Sequence, residues 1–492
     1  MSKESEEFKI HSIKYNALMN IILKISYVIF PLITFPYATR VLKATAYGRV
    51  NFAISVVSYF ALVASLGIPA YGIRKCAEVR DDREKLSKTV KELLILNSIS
   101  LVLTYIAFVI CVFVIQKFRE DSTLLFICSI TIILQTFGVD WFYEAIEQYD
   151  YITVRNIVFK IISMIMLFTF VHSPKDYIAY CIVNIIGTVG SNILNILRLP
   201  KYVELKDNYK LNFKIHLLPV FTLFFYYAAT TIYTNLDTIM LGFMKSSGSV
   251  GYYNAAVKIK NLLVSLITAV GAVALPRISY YLHNNEKDKF RNVISTSFNY
   301  VLYISFPLAI FCSVKAKSII LFLAGNGYVG AISAMKVITP SVLFIGFTSV
   351  TAYQMLIPLK RDVYTLFGAV AGALVDFILN MIFIPKYGAT GAAFGTLVAE
   401  FVVLIIHVFA LKDIIASVIN IIELLKILSS TVIASLFIFI LNYFFIGKSP
   451  FVDCLISGVL FSVSYFILCY LLNVTAERNI LIILKRNILK IE

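Results

Sequence analysis

The chain has 492 residues, 59% of them hydrophobic, and carries a formal net charge of +16. Soluble domains sit at roughly 45 to 50% apolar, so this composition excludes a soluble globular protein. The basic excess reads as a membrane-topology signal rather than a nucleic-acid footprint, because polytopic proteins collect Lys and Arg in cytoplasmic loops; no nucleic-acid partner is expected.

In chain order, the segment 1–11 is polar and mixed in charge, so no cleavable signal peptide is expected. About fourteen apolar runs of roughly 20 residues follow, each long enough to cross a 30 Å hydrocarbon core. They are predicted as helices over 16–37, 50–71, 93–114, 124–142, 152–171, 177–196 and 217–243, then 250–275, 293–311, 331–357, 363–384, 389–410, 424–446 and 451–472. With alternate loops assigned to each side, roughly 28 Lys and Arg fall on the side of the N-terminus and about 11 opposite. Both termini are therefore expected to be cytoplasmic. The richest basic loops are 74–91, 198–214 and 277–291.

An internal repeat runs through the chain. Gly48, Asn51 and Ala53 recur as Gly251, Asn254 and Ala256, each set opening a run that ends near a proline, Pro69 or Pro276. Pro174-Lys175 and Pro385-Lys386 each separate two runs, and Gly138 and Gly346 occupy comparable ones. The expected fold is an all-α polytopic membrane protein with two six-helix lobes in parallel repeat, 1–199 and 200–412. Residues 413–492 then supply an extra helix pair and a basic tail. Substrate sites of such proteins lie between the repeats. Pro31 and Pro36 remove two backbone hydrogen bonds from the first run, which reads either as a bending point or as a helix end.

Four stretches are more specific. They are 31–74 (PLITFPYATRVLKATAYGRVNFA onward), 140–156 (DWFYEAIEQYDYITVRN), 236–258 (LDTIMLGFMKSSGSVGYYNAAVK) and 356–400, which includes IPKYGATGAAFGTLVAE. In order and over most of the chain, they resemble the Wzx-type polysaccharide-biosynthesis flippases of the multidrug/oligosaccharidyl-lipid/polysaccharide exporter superfamily. The resemblance implies a bacterial cytoplasmic-membrane protein that turns a lipid-linked oligosaccharide, on undecaprenyl pyrophosphate, from the inner to the outer leaflet. It implies membrane lipids and other polysaccharide-assembly membrane proteins as partners.

Such a headgroup is anionic and hydroxyl-rich, so its site needs cations, amides and aromatic faces at membrane depth. The basic candidates are Lys24, Arg40, Arg49, Arg74, Lys258 and Lys260. Arg40 and Arg49 read equally as groups snorkelling to headgroups, and Arg74 as a positive-inside anchor. Asn51, Asn235, Asn254, Tyr233 and Tyr253 are the polar and aromatic candidates; sugar contact and helix bracing both account for them. Asp140 or Glu144 is expected to pair with Arg155 or Lys160, and Asp237 with Lys258, as structural ion pairs. Asp376 and Glu400 are candidates for H⁺ or Na⁺ coupling, with a Lys336 contact as the alternative for Asp376.

No other cofactor is expected. Seven scattered Cys without a CxxC, and five His without metal-ligand spacing, predict free buried thiols and no metal site. A drug exporter of the multidrug branch is the nearest rival function, but organic cations would call for an acidic cleft. A membrane enzyme would need a large extramembrane loop or a carboxylate cluster, and neither is visible.

Overall fold

Water-facing residues start several of the helices. Ser12, Asp82 and Ser449 each accept a hydrogen bond from the backbone N–H three residues on, so donors left open by the first turn are satisfied at the membrane edge. The computed structural model describes residues 11–206, 209–284, 286–442, 449–479 and 482. The expected features that fall on 1–10, the end of the thirteenth run and most of the basic tail lie outside these.

Every regular element among the described residues is helical. The first half holds α1 (Ile13–Ser65), α2 (Ile68–Val79), α3 (Arg83–Val114), α4 (Gln116–Glu120), α5 (Ser122–Phe137), α6 (Asp140–Ala145), α7 (Tyr149–Phe170), α8 (Tyr177–Ile185), α9 (Asn192–Arg198) and α10 (Lys214–Met244). The second holds α11 (Ser247–His283), α12 (Lys287–Val314), α13 (Ala316–Leu323), α14 (Ala331–Ile338), α15 (Ser341–Ser349), α16 (Val363–Tyr387), α17 (Ala389–Ala410), α18 (Ile415–Val418), α19 (Ile421–Asn442) and α20 (Pro450–Leu471). Wide π turns interrupt two runs, at Ile186–Gly190 and Val350–Leu356.

The helices are apolar on nearly every side, as lipid requires. On α3, Ile99, Leu103, Ile106 and Ile110 are exposed, while the face bearing Asn97, Thr104 and Phe108 is buried. Polar groups are thus turned inward and aliphatic ones outward, the reverse of a soluble helix. Among the described residues, eleven segments are long and apolar enough to span a bilayer, or twelve if the bent pair Pro174–Gly190 and Asn192–Lys201 is one span. This is a multi-pass membrane protein, although length and composition do not reach the expected count of fourteen. Part of the gap is α1. Its 53 residues are two helices joined end to end across a kink at Lys43, holding the first expected run and most of the second.

The break in α1 falls inside 38–49, the connector expected between the first two runs, and not at the prolines. The helix continues through Pro31 and Pro36 and loses helical dihedrals at Lys43 (φ 60°, ψ 173°). Thr39 Oγ1 donates back to the carbonyls of Phe35 and Pro36, so hydroxyls engage the backbone beside the second proline.

By internal packing the chain divides at Gly251 into two units. The core of the first gathers Ile68, Tyr71, Leu86, Trp141, Phe142 and Val220 from α2, α3, α6 and α10. In this unit the start of α11 crosses α1 backbone to backbone: a Cβ on Gly48 would lie 1.8 Å from the Ser247 carbonyl oxygen, and one on Gly251 2.0 Å from that of Ala44. Two equivalent glycines of the internal repeat therefore mark one helix crossing. The second unit has two cores, one centred on Phe298, Val342 and Met355, the other on Ile427, Phe461 and Tyr465. Its α16 and α17 meet through Gly388 alone, whose φ of 54° a side chain would oppose.

Candidate functional site

In the first unit, α7 carries four buried polar side chains at membrane depth, among them Arg155, Asn156 and Lys160, exposed by 3%, 8% and 9%. Groups this costly in lipid should face partners or a cavity. Arg155 is clamped from several directions. One amino group donates to Asp140 on α6, and the other donates to Ser191 Oγ at 3.1 Å and Asn192 Oδ1 at 3.2 Å. Asn195 donates to the same Asp140 carboxylate at 2.7 Å, and Ser191 donates to Asn156 Oδ1 at 3.3 Å. Ser191, Asn192 and Asn195 follow directly on the π turn Ile186–Gly190. Such turns recur at functional sites.

Of the ion pairs expected between Asp140 or Glu144 and Arg155 or Lys160, the one with Asp140 and Arg155 is thus present. Lys160 departs from expectation: it makes no ion pair among the described residues. It donates to Ser26 Oγ at 2.8 Å and stands 3.4 Å from the centroid of the Tyr27 ring. Glu144, half-buried one turn beyond Asp140, likewise forms no ion pair with Lys160 or Arg155 among the described residues. Tyr27 is 54% exposed and lies within electrostatic reach of Asp140, Arg155 and Glu144. Lys24, one turn before Tyr27 on α1, is exposed. The first unit therefore joins a cation, an aromatic face and a carboxylate–guanidinium clamp, the groups a hydroxylated anion would need.

The other basic candidates are distributed more widely. Arg49 is pinned: its Nε donates to Asp121 at 2.9 Å and its guanidinium lies 4.4 Å from the Tyr177 ring centroid. Arg40 is exposed on α1, and Arg74 is exposed on α2 beside Glu78 and the Tyr71 ring. Lys258 and Lys260 are half-buried on α11, as is Asn254. Asn51 donates to the Tyr47 carbonyl at 2.8 Å and Asn235 to that of Thr231 at 3.2 Å, both bonds within their own helix. Tyr233 is half-buried on α10, where Asp237 is buried.

The second unit has its own polar seam, where α16 packs on α17. Asp376 and Asn380 are both 0% exposed, and a Cβ on Gly395 would lie 2.9 Å from Asp376 Oδ1 and 2.6 Å from Asn380 Oδ1. Glu400 is buried on the same face of α17. Tyr253 joins the seam through a 2.9 Å contact between its hydroxyl and that of Thr396, and His407 Nδ1 lies 2.9 Å from Thr351 Oγ1 beside the second π turn. Lys336, the alternative partner expected for Asp376, is exposed whereas Asp376 is fully buried. Among the described residues no cluster of His, Cys, Asp or Glu has metal-binding geometry.

Sequence reasoning missed Ser26, Tyr27 and the Ser191–Asn195 clamp, although the amides in SNILN stand out in an apolar run. It also missed a buried relay in the first unit, in which Tyr71 Oη lies 2.8 Å from His216 Nδ1 and His216 Nε2 lies 2.8 Å from Glu92. That relay ties α2, α3 and α10 together.

A protein of Escherichia coli (strain K12) named for O-antigen transport is 21% identical over 79% of this chain and 94% of its own length. A protein of Shigella dysenteriae with the same name is 24% identical over 81% of this chain and all of its own. The fold matches the solved structure of the lipid II flippase MurJ in an inward closed conformation, with a TM-score of 0.72 and 18% identity over 93% of this chain and 98% of that one. The sequence model described as polysaccharide biosynthesis protein matches residues 13–282, and the chain belongs to that family.

Proposed function

We propose that this protein turns a lipid-linked oligosaccharide, carried on undecaprenyl pyrophosphate, from the cytoplasmic to the outer leaflet of a bacterial cytoplasmic membrane, by alternating access and with both termini cytoplasmic. The observation that carries the reading is Lys160. It is a membrane-depth ammonium held by a hydroxyl and an aromatic face, with no ion pair among the described residues. A diphosphate loses its hydration on the way across, and a cation with unspent charge offsets that cost, whereas one already neutralised by a carboxylate does not. The half-exposed Tyr27 ring beside it suits the face of a sugar. Relatives named for O-antigen transport support the saccharide class.

In the same proposal, the buried Asp376 and Glu400 of the second unit take and release H⁺ or Na⁺, and their seam of amides and hydroxyls suits either ion. Complementation of a strain lacking its oligosaccharide flippase tests the reading. Restored surface glycan is expected; continued accumulation of lipid-linked repeat units on the cytoplasmic face, with the protein present in the membrane, would overturn it.

A further inference from the structure

Cys128 on α5 and Cys181 on α8 are exposed by 1% and 0%, and their Sγ atoms stand 2.7 Å apart. A disulfide bond is about 2.05 Å long, so closing the gap takes well under 1 Å of sulfur movement. The two helices already pack against each other. Both sulfurs lie within about 10 Å of their helix N-termini at 1.5 Å rise per residue. Those N-termini follow the connecting segments 115–121, which includes α4, and 171–176, both of which face away from the cytoplasm in the topology proposed above.

We infer that Cys128 and Cys181 are joined by a disulfide in the working protein, formed on the outer side of the membrane. That compartment favours the bond, unlike the thiol-reducing cytoplasm. Each thiol gives up one proton and one electron as the S–S bond forms. The two electrons reduce the disulfide of an extracytoplasmic thiol oxidant to a dithiol through a mixed-disulfide intermediate. Because the folded structure buries both sulfurs, the bond forms while α5 and α8 are coming together and is shielded once they have. It closes a loop between positions 53 apart in sequence. Its reach extends to the candidate site, since α8 leads through the π turn Ile186–Gly190 into Ser191, Asn192 and Asn195, which hold Arg155 and Asp140. The side of the membrane rests on the proposed topology; the pairing rests on the sulfur geometry.

The test is a thiol count on the full chain, expressed in a host with an extracytoplasmic thiol oxidase. The protein is purified without reductant, unfolded in detergent, labelled with a maleimide and weighed intact. Five of the seven cysteines are expected to label before reduction and all seven after it. With Cys128→Ser, six are expected to label in both conditions. Seven labels before reduction would overturn the inference, and so would four in Cys128→Ser, which would mean that another pair is bonded. Labelling does not read transport, so its failure leaves the flippase reading standing, and a failed complementation leaves the disulfide standing.

Discussion

The Lys160 ammonium sits over the Tyr27 ring, 3.4 Å from its centroid, while donating to the hydroxyl of the adjacent Ser26. Residues 26 and 27 precede Pro31 on α1, and Lys160 is near the middle of α7, so the contact joins two membrane-crossing helices at depth. A desolvated cation–π contact of this kind is worth about 2 kcal/mol.

If Lys160 serves the substrate, Lys160→Met should lower export of lipid-linked repeat units at least about tenfold, the equivalent of roughly 1.4 kcal/mol, while protein abundance stays near wild type. Met keeps the length and apolar stem of the side chain. Lys160→Arg should restore part of the activity, and Tyr27→Leu should fall between the two. Complementation scored against membrane abundance checks this; wild-type export by Lys160→Met would remove Lys160 from the substrate path.

Arg155 and Asp140 should respond unequally to substitution. Arg155 is 2% exposed at its side chain and Asp140 47%. Removing the carboxylate leaves a buried guanidinium with only hydroxyl and amide partners, whereas removing the guanidinium leaves a carboxylate that water reaches. Asp140→Ala should therefore cost about 3 to 5 kcal/mol, the usual range for stranding a buried charge, and Arg155→Met clearly less. Unfolding midpoints of the two variants in detergent give the order.

At the crossing of α1 with the start of α11, a methyl group on either glycine meets backbone rather than a flexible side chain. Neither Gly48→Ala nor Gly251→Ala can be absorbed by a rotamer change, so each should lower the unfolding midpoint. The double variant should cost less than the sum, because once the helices have parted for one methyl they have room for the other. Full additivity would mean that the two residues do not share a contact.

How much of this is legible in the sequence varies with the kind of residue. The membrane class, the helical runs and an ion pair of Asp140 or Glu144 with Arg155 or Lys160 follow from hydropathy and charge alone, because lipid penalises every exception; which two residues pair does not. The Lys160 contact does not, since a serine and a tyrosine inside an apolar run carry no sign of facing a cation. Arg40 and Arg49 flank the connector expected between two helices, and the two helices do part there, at Lys43, although residues 38–47 hold neither Gly nor Pro. The prolines do not end the helix. A membrane helix tolerates them where other groups engage the freed backbone, as Thr39 does beside Pro36. The strain lies instead at Lys43, a non-glycine residue at φ 60°. There, Lys43→Gly should be tolerated and Lys43→Ile should cost about 1 to 3 kcal/mol.

Glu477, just beyond the last membrane helix, is 8% exposed, and its Oε2 has no hydrogen-bond partner among the described residues. Burial pushes its carboxyl above the usual carboxylate range, with Tyr303, Tyr465 and Cys469 among its electrostatic neighbours. The sign follows from which form the fold prefers. The neutral acid is favoured in the folded state, so its contribution is fully present below the unfolded value near about pH 4.3 and is lost as pH rises through the higher folded value. At neutral pH the folded chain must either bury a charge or hold a proton against the solvent. Glu477→Gln mimics the neutral form, and should raise the unfolding midpoint at roughly pH 7 to 8 while changing little near pH 4. Midpoints of wild type and variant measured across that range decide the matter. A variant less stable than wild type at pH 8 would mean that the ionised carboxylate has a favourable partner.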